Sequence, residues 1–269
     1  MPLSPFGAEF TRRTLVMGIL NITPDSFSDG GEWAAHDAAY AHACAMAAEG
    51  ADILDIGGES TRPGYLPVPP EEELARVLPV IRRLKAEGYP LPISIDTMKP
   101  EVAEAALQAG AAILNDIHGL QRDSAMAGVA ARHGAGVIAM FHRSEIDDSL
   151  DIIAEAHRFF ERTLAISDKA GISRVDLLLD PGIGFGKSQR QNLLLIRECA
   201  AIGRHFGVAM LMGASRKSFI GRIVETRAPE RVPGSLVAAA MSAAAIVRAH
   251  DVAETVQAMR VADAIRAAS

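Results

Sequence analysis

The sequence predicts a single α/β domain folded as a TIM-type (β/α)8 barrel, on three observations. Eight short apolar runs recur along 269 residues, with longer stretches of helically spaced alanine and leucine between them. The runs are continuously apolar instead of alternating, as strands buried on both faces are. Nearly every run also closes on a polar group at its C-terminal edge. A closed barrel gathers all eight strand ends around one mouth, whereas an open doubly wound sheet needs such a rim only beside its switch point. Length alone would allow two smaller domains, but no Gly/Ser-rich linker, charge block or low-complexity tract divides the chain.

Residues 1–13 have no clear period and are expected to be a lead-in, with 14–269 as the barrel domain. The first strand, "LVMGILNI" (15–22), ends at Asn21. The connector after it, "NITPDSFSDGG" (21–31), is turn-rich and longer than most βα loops, as lids and ligand clamps on a barrel's catalytic face are. A helix over 35–49 leads to "ADILDIGG" (51–58), which presents Asp55 ahead of Glu59. The next connector, "ESTRPGYLPVPPEEE" (59–73), is longer still, and its Arg62 is a bidentate donor suited to phosphate.

A helix over 71–87 precedes "LPISIDT" (91–97), which ends at Asp96 and Thr97; Pro100 then marks the start of a helix over 99–109. "AAILNDI" (111–117) carries Asn115 and Asp116, and "GVIAMFH" (136–142) ends at His142. After a helix over 149–170 comes "VDLLLDPG" (175–182) with Asp180, then a helix over 189–206 and "VAMLMGAS" (208–215) with Ser215. A helix over 234–247, the strand "AIVRAHDV" (245–252) with Arg248 and His250, and a helix over 252–267 complete the eight units.

The composition, 49% hydrophobic and 5% aromatic, fits helices packed on aliphatic strands. A net charge of −6 argues against nucleic acid or an anionic membrane as partner, since both need a sustained basic surface. Cys44 and Cys199 have no metal-ligand spacing around them, so they read as reduced core thiols suited to the cytoplasm. No apolar run approaches the length of a membrane span, and no signal-peptide pattern opens the chain.

Asp96, Asn115 and Asp180 place two carboxylates and an amide at strand ends. Singly each reads as a helix cap; together they complement a flat heterocycle bearing adjacent N–H and amino donors. The stretch "DPGIGFGK" (180–187) contains glycines and a lysine, but its spacing is not that of a phosphate-binding Walker loop. In "LMGASRKSFIG" (211–221), Arg216 and Lys217 stand where the seventh strand becomes a helix. Arg248 and His250, two residues apart, would share a face. Four cationic or potentially cationic groups would thus converge after strands seven and eight, a frequent phosphate site in this architecture.

The ordered set "MGILNITPDSFSDGG", "DILDIGGESTRPG", "ISIDT", "ILNDI", "LLLDPGIGFGK", "GASRKSFIG" and "RAHDV" resembles the dihydropteroate synthase family. The resemblance implies a cytoplasmic TIM-barrel homodimer that uses Mg²⁺ and joins 6-hydroxymethyl-7,8-dihydropterin pyrophosphate to 4-aminobenzoate, the pocket for which sulfonamides compete. It assigns catalysis to Arg62, Asp96, Asp180, Lys217, Arg248 and His250. Asp96, Asn115, Met140, Asp180, Lys217 and Arg248 match the pterin pocket. Phe27, Pro63, Phe185, Lys217 and Ser218 match the 4-aminobenzoate side, and Thr61 belongs to the same second loop. Asn21, Arg62, Arg248 and His250 match positions around the pyrophosphate, and Asn21 with Asp29 the metal. A pterin-binding methyltransferase, or a catalytically silent pterin-binding paralogue, is the alternative on the same barrel. One departure stands out: after the fifth strand the resemblance calls for His directly after Met140, and this chain has Phe141 there, then His142, Arg143 and Ser144.

Overall fold

The computed structural model describes residues 5–6, 13–23, 31–60 and 67–268. In chain order the elements are β1 (Leu15–Asn21), α1 (Gly31–Ala48), β2 (Ile53–Gly57), α2 (Pro70–Ala86), β3 (Ile93–Asp96), α3 (Pro100–Gln108), β4 (Ile113–Asp116), α4 (Ala125–His133) and β5 (Gly136–Met140). They continue with α5 (Ile152–Ala170), β6 (Leu177–Asp180), α6 (Gln189–Phe206), β7 (Ala209–Met212), α7 (Ser218–Val224), α8 (Val232–Ser242), β8 (Ile246–Ala249) and α9 (Val252–Ala267). The strands pair in parallel in sequence order, and β8 closes on β1. This is the predicted eight-stranded barrel.

The helix ends follow local chemistry. Asp151 accepts from Ile153 N and Ala154 N at 3.1 Å each to start α5. Ser188 and Gln191 form a reciprocal capping box at α6, with bonds of 3.2 and 3.0 Å. Gly171 and Gly207, both left-handed, end the same two helices. The helix expected over 234–247 stops earlier, at Ser242, because Ala243 turns left-handed and Ala245 N donates 2.9 Å to Met210 O, joining the β7–β8 pairing. The helix expected after the seventh strand is the short α7, and neither it nor α4 could be given bounds from the sequence, because each makes roughly two turns, too few for a repeating apolar face.

Two cores result. One lies between the barrel and its helices. The other fills the barrel floor with Leu15, Met17, Ile53, Ile113, Ile138, Leu178, Leu211 and Ile246. Phe6, from the expected lead-in, is 1% exposed within this floor. It packs so closely on β5 that a Cβ on Gly136 would lie 2.9 Å from its ring. Because strand side chains alternate faces, the residue two places beyond each floor position also points inward. Above the floor those residues are Ile19, Asp55, Asn115, Met140, Asp180, Gly213 and Arg248. The layer above the apolar floor therefore brings in Asp55, Asn115, Asp180 and Arg248 beside the apolar Ile19 and Met140. Among the described residues no helix is long and apolar enough to cross a membrane.

Candidate active site

Register aligns the first half of the mouth. Asn21 pairs with Gly57, Gly57 with Asp96, and Asp96 with Asn115, on four successive strands. Gly57 leaves a gap in this row, since a Cβ there would lie 3.6 Å from Asp96 Cβ and 3.7 Å from Asn21 Oδ1. On the other side Met140 pairs with Asp180.

Arg248 ties the row together. Its Nε donates to Asp55 Oδ2 at 2.6 Å and its Nη2 to Asp96 Oδ2 at 2.8 Å. Asn115 Nδ2 donates to the same Asp55 oxygen at 3.1 Å. The second oxygens, Asp55 Oδ1 and Asp96 Oδ1, are buried without a hydrogen-bond partner. Burial pushes the Asp96 carboxyl up to about 7; the Arg248 charge opposes that shift and the nearby Asp55 charge adds to it. At the rim, the unpartnered Asp96 oxygen suits a ligand that brings N–H groups, whereas Asp55 lies one layer deeper with a fully buried side chain.

Opposite stands a second group. Asp180 accepts from Gly182 N at 2.7 Å, and burial raises its pKa against the pull of Lys217. The ammonium of Lys217 donates to the Ile183 carbonyl and sits 4.7 Å from the Phe185 ring centroid. Burial lowers the Lys217 pKa to about 8, with the Asp180 charge resisting. Met140 is buried, and Phe185 is partly exposed at the edge of the mouth.

The loop carrying Phe185 is held from inside by Lys187, whose Nζ donates to Phe141 O at 2.7 Å and Phe185 O at 2.9 Å and lies 4.2 Å from the Phe141 ring centroid. Burial drives its pKa well below that of a free lysine. Gly182 has φ +67° and lies so close to the β5–α5 connection that a Cβ would come within 2.1 Å of Phe141 O.

The departure after Met140 now has a structural account. Phe141 faces the core, with its ring centroid 5.1 Å from that of Phe159 and 6.2 Å from that of Phe160. His142 instead lies toward the mouth, 4.4 Å from His118 and 6.0 Å from Phe185 between ring centroids. Burial lowers His118 to about 4 and lowers His142 as well, which favours the neutral imidazole in both. They make an aromatic rim, not a cationic one.

The expected convergence of four cations needs correcting. Arg216 adopts φ +55° and its guanidinium is bound to Asp251, with Nε 3.0 Å from Oδ2. Its charge is spent joining the loops after β7 and β8. His250 is held by Ser215, whose Oγ lies 3.0 Å from Nδ1 and accepts from His250 N at 3.2 Å. Lys217, Arg248 and His250 remain at the mouth. Ser218 is exposed at the start of α7. Phe27, Asp29, Thr61, Arg62 and Pro63 lie outside the described residues. The stem of their second loop is fixed, because Glu59 accepts from Val68 N at 3.2 Å and from Lys99 Nζ at 2.5 Å, and Lys99 also pairs with buried Glu73.

Sequence reasoning noted Asp55, His142 and Ser215 as strand-end groups without giving them a role, weighed Lys187 only as the lysine of a stretch that fails the Walker spacing, and passed over His118. For Asp55 a signal existed: it stands two residues beyond Ile53, the inward phase of its strand. Nothing in the sequence marked Lys187 as buried.

A family model described as pterin binding enzyme matches residues 17–252 of the chain. A dihydropteroate synthase of Escherichia coli K12 is 46% identical over 258 residues, covering 93% of this chain and 90% of the relative. The structure of dihydropteroate synthase from Clostridium difficile in the presence of pteroic acid superposes with a TM-score of 0.92 at 42% identity, covering 96% of this chain and 98% of that one. The Xanthomonas albilineans dihydropteroate synthase in complex with 7,8-dihydropteroate gives a TM-score of 0.87 at 44% identity, covering 96% and 95%.

Proposed function

The chain belongs to the pterin-binding enzymes, among the dihydropteroate synthases, and from that premise we propose how its own residues carry the reaction. It is a transferase of folate biosynthesis. It condenses 6-hydroxymethyl-7,8-dihydropterin pyrophosphate with 4-aminobenzoate to give 7,8-dihydropteroate and pyrophosphate. The observation that carries the residue assignment is the convergence of Asp96, Asn115, Asp180, Lys217 and Arg248 above one apolar floor.

In this reading Asp96, Asn115 and Asp180 hydrogen-bond the donor edges of the pterin, Lys217 contacts ring acceptors, and Met140 packs on the ring. The C–O bond between the pterin methylene and pyrophosphate breaks first, and its electron pair leaves with the pyrophosphate. The resulting cation is delocalised into the ring, where Asp96 and Asp180 stabilise it by charge. Arg248 and His250, with Arg62, stabilise the departing anion. The unprotonated amine of 4-aminobenzoate, held near Phe185 and Ser218, attacks the methylene and forms the C–N bond; its proton is lost to solvent. Phe27, Thr61 and Pro63 would complete this second pocket. No covalent intermediate on the enzyme is needed.

Mg²⁺ belongs to the same proposal. Asn21 offers a neutral oxygen across the Gly57 gap from Asp96, the kind of donor Mg²⁺ accepts. Among the described residues no group of three His, Cys, Asp or Glu side chains could hold a metal unaided. An ion there would share Asn21, with Asp29, and oxygens of the substrate pyrophosphate, as Mg²⁺ commonly does. When bound it would supply charge neutralisation for the leaving group.

A homodimer fits the surface of the last helices. Val237 and Met241 on α8, and Val261 and Ile265 on α9, are each 56% exposed or more. Each pair is spaced four residues apart, so its members share a face. Arg266 Nη2 donates 2.7 Å to Ala240 O, joining the two helices beside Met241 and Ile265. The free thiols of Cys44 and Cys199 suit a reducing cytoplasm.

The test is pyrophosphate release from the pterin substrate with Mg²⁺, with and without 4-aminobenzoate. Release that requires 4-aminobenzoate is expected. Pterin binding with no release would support a silent paralogue, and methyl transfer from methyltetrahydrofolate would support the methyltransferase.

A further inference from the structure

Asp55 has no part in the reaction as drawn, yet it touches two residues that do. It is 0% exposed, one layer below Gly57 on β2. One of its oxygens accepts from both Arg248 Nε and Asn115 Nδ2. The ionised carboxylate is tolerable there because a guanidinium faces it. Arg248 is shared, however: its Nη2 holds Asp96, whose other oxygen is unpartnered. The two arms of one guanidinium thus reach carboxylates on adjacent strands, one deep and one at the rim.

The two arms differ in what can replace them. Asp96 is 13% exposed at its side chain and lies in the row that would meet the pterin, whereas Asp55 is closed off. Ring N–H donors can therefore take over Asp96 from Arg248 but cannot reach Asp55 without displacing the arginine. We propose that Asp55 is a positioning residue that tethers Arg248 by its Nε arm, so that pterin binding releases only the Nη2 arm, which then serves the departing pyrophosphate. The inference rests on the roles given above to Asp96 and Arg248. It explains why a buried acid stands where no substrate atom reaches, and it assigns Asn115 a second anchor on the same oxygen.

Without the Asp55 charge, Arg248 would have Asp96 as its carboxylate partner here, and substrate would have to break that pair outright. The test is a double-mutant cycle on the full-length protein with Asp55→Asn, Arg248→Ala and the double variant, alongside Asp96→Asn. Asp55→Asn is expected to raise KM for the pterin pyrophosphate about tenfold, lower kcat about tenfold and weaken inhibition by added pyrophosphate. In the Arg248→Ala background the same change should alter kcat/KM less than about twofold. An equal loss in both backgrounds would overturn the tether. If Asp55→Asn does not fold, Arg248→Lys tests the same point, because an ammonium keeps the charge without the two-armed fork. It should retain binding of 6-hydroxymethylpterin and lose at least about tenfold in kcat, and wild-type kcat would count against the tether. Unchanged activity in both Asp96→Asn and Arg248→Ala would remove the site assignment itself, an outcome distinct from simple additivity.

Discussion

Lys217 Nζ stands 4.7 Å from the centroid of the Phe185 ring and donates to the carbonyl of Ile183. The ammonium after β7 is therefore fixed by the loop after β6, the loop that follows Asp180 at the end of that strand. Both pockets of the proposed reaction meet at this contact.

Replacing Lys217 by Met should remove a buried charge from the centre of the site while keeping its apolar contact with Phe185. A fall in kcat/KM of about 100-fold or more is expected, the scale of losing one preorganised electrostatic donor. Steady-state pyrophosphate release measures it, and a loss under about threefold would exclude Lys217 from the chemistry.

The pH profile of kcat/KM should be a bell. Asp96 is raised to about 7, so it ionises and becomes a full acceptor only as pH rises through that value. Lys217 is lowered to about 8, so its charge is present below that value and lost above it. Activity should climb through about 7 and fall beyond about 8, with both limbs belonging to coupled groups. In Asp96→Asn the acidic limb should vanish from the profile; a limb that persists would have another origin.

Gly182 and Gly88 offer a controlled comparison. Both have positive φ, +67° and +71°, but a Cβ on Gly182 would strike Phe141 O at 2.1 Å whereas one on Gly88 meets nothing within 4 Å. Alanine at either position should cost about 1–2 kcal/mol from the left-handed backbone alone. Gly182→Ala should cost at least about 2 kcal/mol more, because backbone must move. Urea titration of the two variants gives the difference, and equal midpoints would mean the loop yields freely.

Met241→Glu should place a charge in the centre of the apolar surface of α8 and α9. Sedimentation velocity is expected to show a dimer for the parent chain and a monomer for the variant at micromolar concentration, with the barrel still folded by circular dichroism. A variant that remains dimeric would move the interface elsewhere.

Much of the barrel was legible because its signals are local. Eight apolar runs without alternation announce strands covered on both faces, and the polar residue ending each run announces the mouth. Asp96, Asn115 and Asp180 could be placed there from their strands alone, and Met140 through the family resemblance. The errors have local causes as well. The overlap between a helix over 234–247 and a strand over 245–252 was resolved by Ala243 turning left-handed, which alanine composition does not announce. Helices α4 and α7 are too short to show a period. Phe6 lies in a segment without pattern, and only its packing among the residues of the barrel floor makes it core.

The sequence by itself determined the order of strands and helices, the apolar runs that are covered on both faces, and the residue types at the mouth. Periodicity sets which face a side chain takes on its own strand, and that is all these conclusions need. Only the tertiary structure decided the partners. Closing β8 onto β1 brings Arg248 to Asp55 across 193 positions and to Asp96 across 152. The positive φ of Arg216 hands its charge to Asp251, and the turn after Met140 sends Phe141 inward and His142 toward the mouth. A side chain's face is fixed by its neighbours in sequence, but the charge it meets depends on where the barrel closes, and that depends on all eight strands together.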